Sequence, residues 1–270
     1  MSNELTNKSA TELVALIRAR AVSPVEVVEA HLRRIEQINP SLNAIVTTAE
    51  DAVDRARLCE ARLMSEENVA PLHGLPVTIK DTIDTAGLRT TSGSRILSQQ
   101  VPERDADSVA RLKAAGAIIL GKTNVPEMAV PYDCDNPVFG RTSNPHNLNR
   151  TPGGSSGGEA AAIATCLSPA GLGSDLSGSI RVPAHFCGIA GLKPTVGRVP
   201  MDGHTPAALG VVALGASIGP MARRVEDLAL LFKILADPTQ FEAAQNELEV
   251  LNPTSLHGLR VAWYTDDGVT

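Results

Sequence analysis

Nowhere in this 270-residue sequence do 18 apolar residues follow one another, which leaves no candidate for a membrane-spanning helix. Met1 to Ala10 is polar and lacks the apolar run of a secretory signal, so no leader is expected. Basic charge is scarce relative to acidic: 24 Lys and Arg against 30 Asp and Glu give a net charge of −6. The cations are scattered, so there is no basic stripe to act as a nucleic-acid footprint, and no nucleic-acid partner is expected. The four cysteines, Cys59, Cys134, Cys166 and Cys187, form neither a CxxC metal motif nor a compact disulfide framework. They are expected as free thiols in a reducing compartment, consistent with a cytoplasmic location. Internal repeats and low-complexity linkers are also missing.

What is present is ordinary globular material, 43% apolar and 20% charged, in a chain long enough to bury a substantial core. The expected organisation is one domain over 1–270, helical over 1–70 and α/β over 71–270. Ser9 and Thr11 are candidate caps for a helix through Ala19. Ser23-Pro24-Val25-Glu26 forms a capping box with proline at the first helical position. Val25, Val28, Leu32 and Ile35 recur at helical spacing, and the pattern is expected to stop at Asn39-Pro40. Ala49 to Leu63 reads as a further helix, with Val53 and Leu63 on its apolar face. Leu75 to Lys80 is short and β-branched and follows a glycine, which predicts a strand ending at Lys80. Asp107 to Ala115 is helical, closed by Gly116, and Ala117 to Leu120 reads as a buried strand. The 131–158 stretch is loop-rich, Glu159 to Cys166 is helix-friendly, Val225 to Leu235 is amphipathic, and Leu259 to Tyr264 reads as a final strand. Alternating strand and helix signals predict an α/β layer architecture.

Three segments could carry chemistry. Gly153-Gly154-Ser155-Ser156-Gly157-Gly158 precedes a predicted helix, as a phosphate cradle would. The Lys and Ser/Thr of a P-loop are missing, however, and Glu159 would set a negative charge beside the phosphate. A flexible structural loop is the competing reading. Gly173-Ser174-Asp175-Leu176-Ser177-Gly178-Ser179 packs small residues into a turn that ends at a serine. Such a turn could expose several N–H groups beside a nucleophile, as acyl transfer needs, or could simply be a serine-rich turn capped by Asp175. Lys80 ends an apolar strand. Most lysines are solvated, but Val77, Ile79 and Ile83 favour burial of its stem.

Taken together, these segments resemble the amidase signature family. The resemblance rests on Gly153 through Gly158, on Gly178-Ser179-Ile180-Arg181-Val182-Pro183-Ala184 and on Gly191-Leu192-Lys193-Pro194-Thr195. It extends to His73-Gly74-Leu75-Pro76-Val77-Thr78-Ile79-Lys80-Asp81 and to Gly121-Lys122-Thr123-Asn124. The resemblance implies a central mixed β-sheet flanked by helices, with the C-terminal part of the sheet missing. It implies Lys80 as catalytic lysine, Ser155 as bridging serine after a cis peptide bond from Gly154, and Ser179 as nucleophile. The N–H groups of Leu176, Ser177, Gly178 and Ser179 would line the oxyanion hole. Asp175 and Arg181 match supporting positions, and Ser156 has a hydrogen-bonding role. His185 lies near the signature, but the relay has no vacancy for it.

The implied chemistry is physically coherent. An ordinary lysine, with a pKa of about 10.4, would be neutral in only about one molecule in 2,500 at pH 7. To accept a proton, Lys80 needs its pKa lowered by roughly 3 units, and burial without a carboxylate partner can supply that shift. Asp81 would oppose the shift if it faced Lys80, but strand alternation should point it away. The chemistry requires no metal or organic cofactor. Position 177 departs from the family, with serine where glycine is usual; if that turn needs a positive φ, the side chain would strain it. The family domain also continues beyond this C-terminus, so the terminal strand is expected to have lost neighbours.

Tyr132-Asp133-Cys134-Asp135-Asn136-Pro137-Val138-Phe139-Gly140-Arg141 and Gly158-Glu159 resemble the acetamidase and fatty-acid-amide-hydrolase branch. The expectation is therefore an amide hydrolase acting on a small-molecule amide through an acyl-enzyme. The alternatives are the glutaminase subunit of a tRNA-dependent amidotransferase and a truncated, inactive amidase-like protein. A homodimer is allowed, and specificity is not legible.

Overall fold

The computed structural model describes residues 2–65 and 68–236. The chain opens with α1 (Ser2–Thr6), α2 (Ala10–Arg18) and α3 (Pro24–Leu42). Ser9 caps α2 and Ser23 caps α3, each in a complete capping box with Glu12 and Glu26. Thr11 falls inside the first turn of α2. There its N–H and hydroxyl both donate to Asp227 at 2.8 Å.

α3 runs past the expected stop and carries Pro40 in its last turn. Proline there removes only the N–H that would reach back to exposed Glu36. The helix ends instead at Asn43, in the left-handed region at φ 55°, whose N–H reaches the Asn39 carbonyl. The Asn39 side chain then folds the chain back, accepting from Ala44 and Ile45 N–H and donating to the Ile45 carbonyl. That turn launches β1 (Ile45–Thr48), a strand the sequence reading missed, so the first 70 residues are not wholly helical.

α4 (Ala52–Ser65) follows, then β2 (Pro76–Lys80), α5 (Asp107–Ala114) and β3 (Ile118–Thr123). Next come α6 (Gly157–Ala164), β4 (Ala170–Asp175), α7 (Arg181–Cys187) and β5 (Ala190–Gly191). β6 (Ser217–Ala222) and α8 (Val225–Leu235) complete the described residues. The expected strand at 259–264 lies outside them.

The six strands form one mixed sheet in the order β1-β3-β2-β4-β6-β5. β2 lies parallel to both β3 and β4, and the remaining pairs are antiparallel. The α/β architecture, a mixed sheet with helices against it, is as expected. β2, β3, β4 and β6 are buried along their whole length, which requires cover on both faces. On one face Val77 and Ile79 join Leu13, Ile17, Leu112 and Leu231. On the other, Ile118 and Leu120 pack with Val28, Ile35, Ala161 and Ala162. Each fully buried aliphatic side chain of this kind contributes about 1.5–3 kcal/mol.

Successive residues of a strand point to opposite faces. With Val77 and Ile79 in the first core, Thr78 and Lys80 must point toward α6. Close approach of α6 to the sheet depends on Gly171, where an added Cβ would sit 2.1 Å from Glu159 Oε1 and 2.4 Å from the Thr78 carbonyl.

Candidate active site

Lys80 ends β2 completely buried, and its Nζ lies 2.7 Å from Ser155 Oγ, 3.0 Å from Ser174 Oγ and 3.3 Å from the Ser174 carbonyl. Burial is the leading cause that pulls its pKa down to about 7; Cys134, Asp175 and Glu159 act weakly in the opposite sense. At neutral pH about half the molecules would then carry a neutral amine there. Asp81, the next residue, turns to the opposite face as alternation requires. It accepts from Thr91 N–H at 3.1 Å and Thr91 Oγ1 at 2.5 Å, and its electrostatic partner is Lys122.

Ser155 and Ser156 lie between a glycine-rich loop and α6. The peptide bond between Gly154 and Ser155 is cis. The Ser156 N–H donates to the Ser179 carbonyl at 3.0 Å, and its hydroxyl bridges the Ser174 N–H and carbonyl at 3.4 and 3.3 Å. Ser156 thus ties the Ser155 loop to the segment that carries Ser179.

Glu159 lies in the first turn of α6. It is buried, accepting from Thr78 at 2.5 Å and Thr123 at 2.8 Å, and desolvation lifts its pKa to about 7. This carboxyl joins β2 and β3 to α6.

The turn after β4 is held by Asp175, whose carboxylate accepts from the N–H groups of Gly178 (2.8 Å), Ile180 (3.0 Å) and Arg181 (3.3 Å). Arg181 adds Nε and Nη2 to the same carboxylate, both at 3.0 Å. Gly178 was expected among the oxyanion donors, and the structure corrects this: its N–H is committed to Asp175. Among the described residues, the N–H groups of Leu176, Ser177 and Ser179 make no hydrogen bond within the chain. The positive φ of the turn falls on Gly178, at 125°, and not on Ser177. The serine at 177 is therefore unstrained. Its carbonyl and hydroxyl lie 2.8 and 3.0 Å from Tyr132 Oη, which anchors the turn from the 131–158 loop.

Ser179 and Ser155 share the wall of one cavity of about 360 Å³. Its lining combines the polar side chains of Ser155, Ser174, Ser179 and His204 with the apolar ones of Met128, Val130, Leu176, Met201 and Val212. The Ser179 hydroxyl makes no hydrogen bond to Ser155 in this structure, so the three predicted side chains converge with one link open. His185, which the sequence reading kept out of the chemistry, is exposed on α7.

His204 was missed. Its Nε2 lies 2.8 Å from Ser174 Oγ and its Nδ1 2.9 Å from the Pro206 carbonyl. A single histidine in a loop carries no periodic or spacing signal that could have singled it out.

Comparison with known proteins fits this geometry. Residues 26–270 match the Amidase family model. The chain is 44% identical to the A subunit of glutamyl-tRNA(Gln) amidotransferase from Thermus thermophilus, over 92% of its own length and 50% of that protein. The corresponding protein of a Sulfurihydrogenibium species is 42% identical over 98% of this chain and 56% of that protein. Among solved structures, the native peptide amidase of Stenotrophomonas maltophilia superposes with a TM-score of 0.80 at 34% identity, covering 88% of this chain and 50% of that one. A bacterial aryl acylamidase of the amidase signature family superposes with a TM-score of 0.78 at 37% identity, over 85% and 47%. The chain spans about half the length of the curated relatives it matches. With the family model matched across most of its length, this chain belongs to the amidase family.

Proposed function

We propose that this chain carries the acyl-transfer centre of a carboxamide-cleaving enzyme, with Ser179 as nucleophile, Ser155 as proton bridge and Lys80 as base. The observation that carries this reading is a fully buried lysine 2.7 Å from a serine hydroxyl that shares a cavity with a second serine. Ser179 Oγ attacks the amide carbonyl while its proton passes to Ser155, whose own proton passes to neutral Lys80. The free N–H groups of Leu176, Ser177 and Ser179 receive the developing oxyanion, and losing one such donor costs about 10²–10³ in rate. The relay then runs backward, the C–N bond breaks, the amine leaves protonated, and water hydrolyses the ester. The open Ser155–Ser179 link closes as the acyl group enters, since catalytic hydrogen bonds tighten in the substrate complex.

Two substrate classes compete. Segment 132–141 points to a free-standing hydrolase of simple amides, and the apolar side chains in the cavity lining suit an apolar acyl group. The curated relatives, at 42–44% identity, are amidotransferase subunits, and they favour the other reading, in which the amide is that of glutamine and the chain works beside partner subunits. Overall sequence similarity outweighs a ten-residue segment, so the glutamine reading is preferred. Ammonia release from glutamine, acetamide and benzamide by the purified chain, against Ser179→Ala, tests it. Release from glutamine, enhanced by partner subunits and lost in the variant, is expected. Equal release from the variant would refute the nucleophile, and release from acetamide or benzamide alone would return the simple-amide reading. No release and no active-site labelling in well-folded protein would identify an inactive relative.

A further inference from the structure

A neutral amine can serve as base only if its lone pair faces the hydroxyl it deprotonates. Lys80 Nζ has three oxygens within reach, Ser155 Oγ, Ser174 Oγ and the Ser174 carbonyl. Nothing in the lysine itself decides which receives N–H and which meets the lone pair. The carbonyl can only accept, which fixes one N–H. The Ser174 hydroxyl can accept or donate, so its direction decides the rest.

His204 fixes that direction. The Pro206 carbonyl, 2.9 Å from Nδ1, can only accept, so Nδ1 carries the proton and Nε2 is left as acceptor in the neutral ring. Ser174, 2.8 Å from Nε2, must then give its proton to His204 and keep its lone pairs for Lys80. With both N–H groups of neutral Lys80 committed to Ser174, the remaining lone pair falls on Ser155.

The imidazole is held in a neutral state for this task. Burial, and then the nearby Lys80 amine, lower its pKa to about 4. Its backbone is tied to the chain segment that follows Lys80: His204 bridges Ile83, the Gly203 carbonyl accepts from Asp84 N–H at 2.8 Å, and Thr205 N–H reaches the Thr82 carbonyl at 2.7 Å. The imidazole is therefore positioned by the stretch of chain that directly follows Lys80.

We infer that His204 is a positioning residue of the relay: through Ser174 it sets the polarity of the hydrogen bonds around Lys80 and aims the amine's lone pair at Ser155. The inference rests on the proposed role of Lys80 as base, but the hydrogen-bond direction can be measured without turnover. Nitrogen-15 NMR of the wild-type chain should show His204 as the Nδ1–H tautomer. Carbon-13 titration of the Lys80 side chain, in wild type and in His204→Phe and His204→Gln, reads the consequence. In the Phe variant Ser174 no longer has to donate away from Lys80, so acceptance from the ammonium weakens. The Lys80 pKa then falls by about one unit, and the plateau rate of fluorophosphonate labelling at Ser179 falls by about ten- to a hundredfold. The Gln variant, whose amide oxygen can accept from Ser174, restores most of both. A merely structural role would lower folded yield without moving the Lys80 titration.

An Nε2–H tautomer, or a Lys80 titration and labelling rate unmoved in the Phe variant, would overturn the inference. Absence of wild-type labelling at Ser179 would strike instead at the catalytic reading. In that case a Lys80 titration that still follows residue 204 would leave the polarity chain standing.

Discussion

At the scale of single residues the account turns on the price of burying Lys80. Its pKa of about 7 in the folded chain lies well below the ordinary 10.5, so between those values the unfolded chain holds a proton that the native chain has lost. Stability contributed at this position therefore rises with pH from about 7 to about 10.5, and below 7 the full penalty applies, about 5 kcal/mol. Lys80→Met should abolish labelling of Ser179 and stabilise the fold by about 1–4 kcal/mol at pH 6. That gain should shrink at pH 10, as denaturant unfolding at the two pH values would show; an equal effect at both would contradict the depressed pKa. Tyr132 makes a second residue-scale test. Tyr132→Phe removes both contacts to Ser177, should loosen the turn by about 1 kcal/mol, and should slow labelling about fivefold. An unchanged rate would show that the turn holds itself.

Residue-scale chemistry was legible where a motif carried it. Lys80, Ser155, Ser179 and the Asp175–Arg181 pair could be named because the segments that carry them resemble the amidase signature; the residue types alone left each segment open to a purely structural reading. The commitment of the Gly178 N–H to Asp175 was not legible, because it depends on where a carboxylate three residues away swings. His204 was not legible either, because its role comes from contacts with residues far from it in sequence.

At the scale of elements, local signals and tertiary packing divide the work. Capping boxes at Ser9 and Ser23, the β-branched run ending at Lys80 and the amphipathic Val225–Leu235 were readable because each is a local preference that packing did not override. β6 was missed because Gly219 and Pro220 argue against a strand, yet Pro220 still pairs with Leu172 and its carbonyl accepts from Leu192 N–H. β1 was missed because it is only four residues long and is squeezed between the Asn43 turn and the helix-favouring stretch that begins at Ala49. Two substitutions probe this scale. Ser23→Ala should lower stability by about 1 kcal/mol through loss of the α3 cap. Gly171→Ala should cost about 1–3 kcal/mol, because the new methyl group must displace Glu159 or the Thr78 backbone. A Gly171→Ala chain with an unchanged denaturant midpoint would mean that α6 does not depend on that close approach.

On the scale of the whole molecule, the sheet brings a strand end, a helix-entry loop and a post-strand turn together at one cavity. β2 supplies Lys80, the loop before α6 supplies Ser155, and the turn after β4 supplies Ser179, so the parallel β2–β4 pairing makes the site as much as the motifs do. The chain spans about half the length of the curated relatives it matches.

The central claim, that a buried neutral amine activates two hydroxyls in series, is tested most directly by the pH dependence of fluorophosphonate labelling at Ser179. The rate should rise as one group loses a proton with a midpoint near 7, and the rise should disappear in Ser155→Ala. A rate that climbs only toward the ordinary lysine pKa of 10.5, or one that keeps its midpoint near 7 without Ser155, would contradict the account.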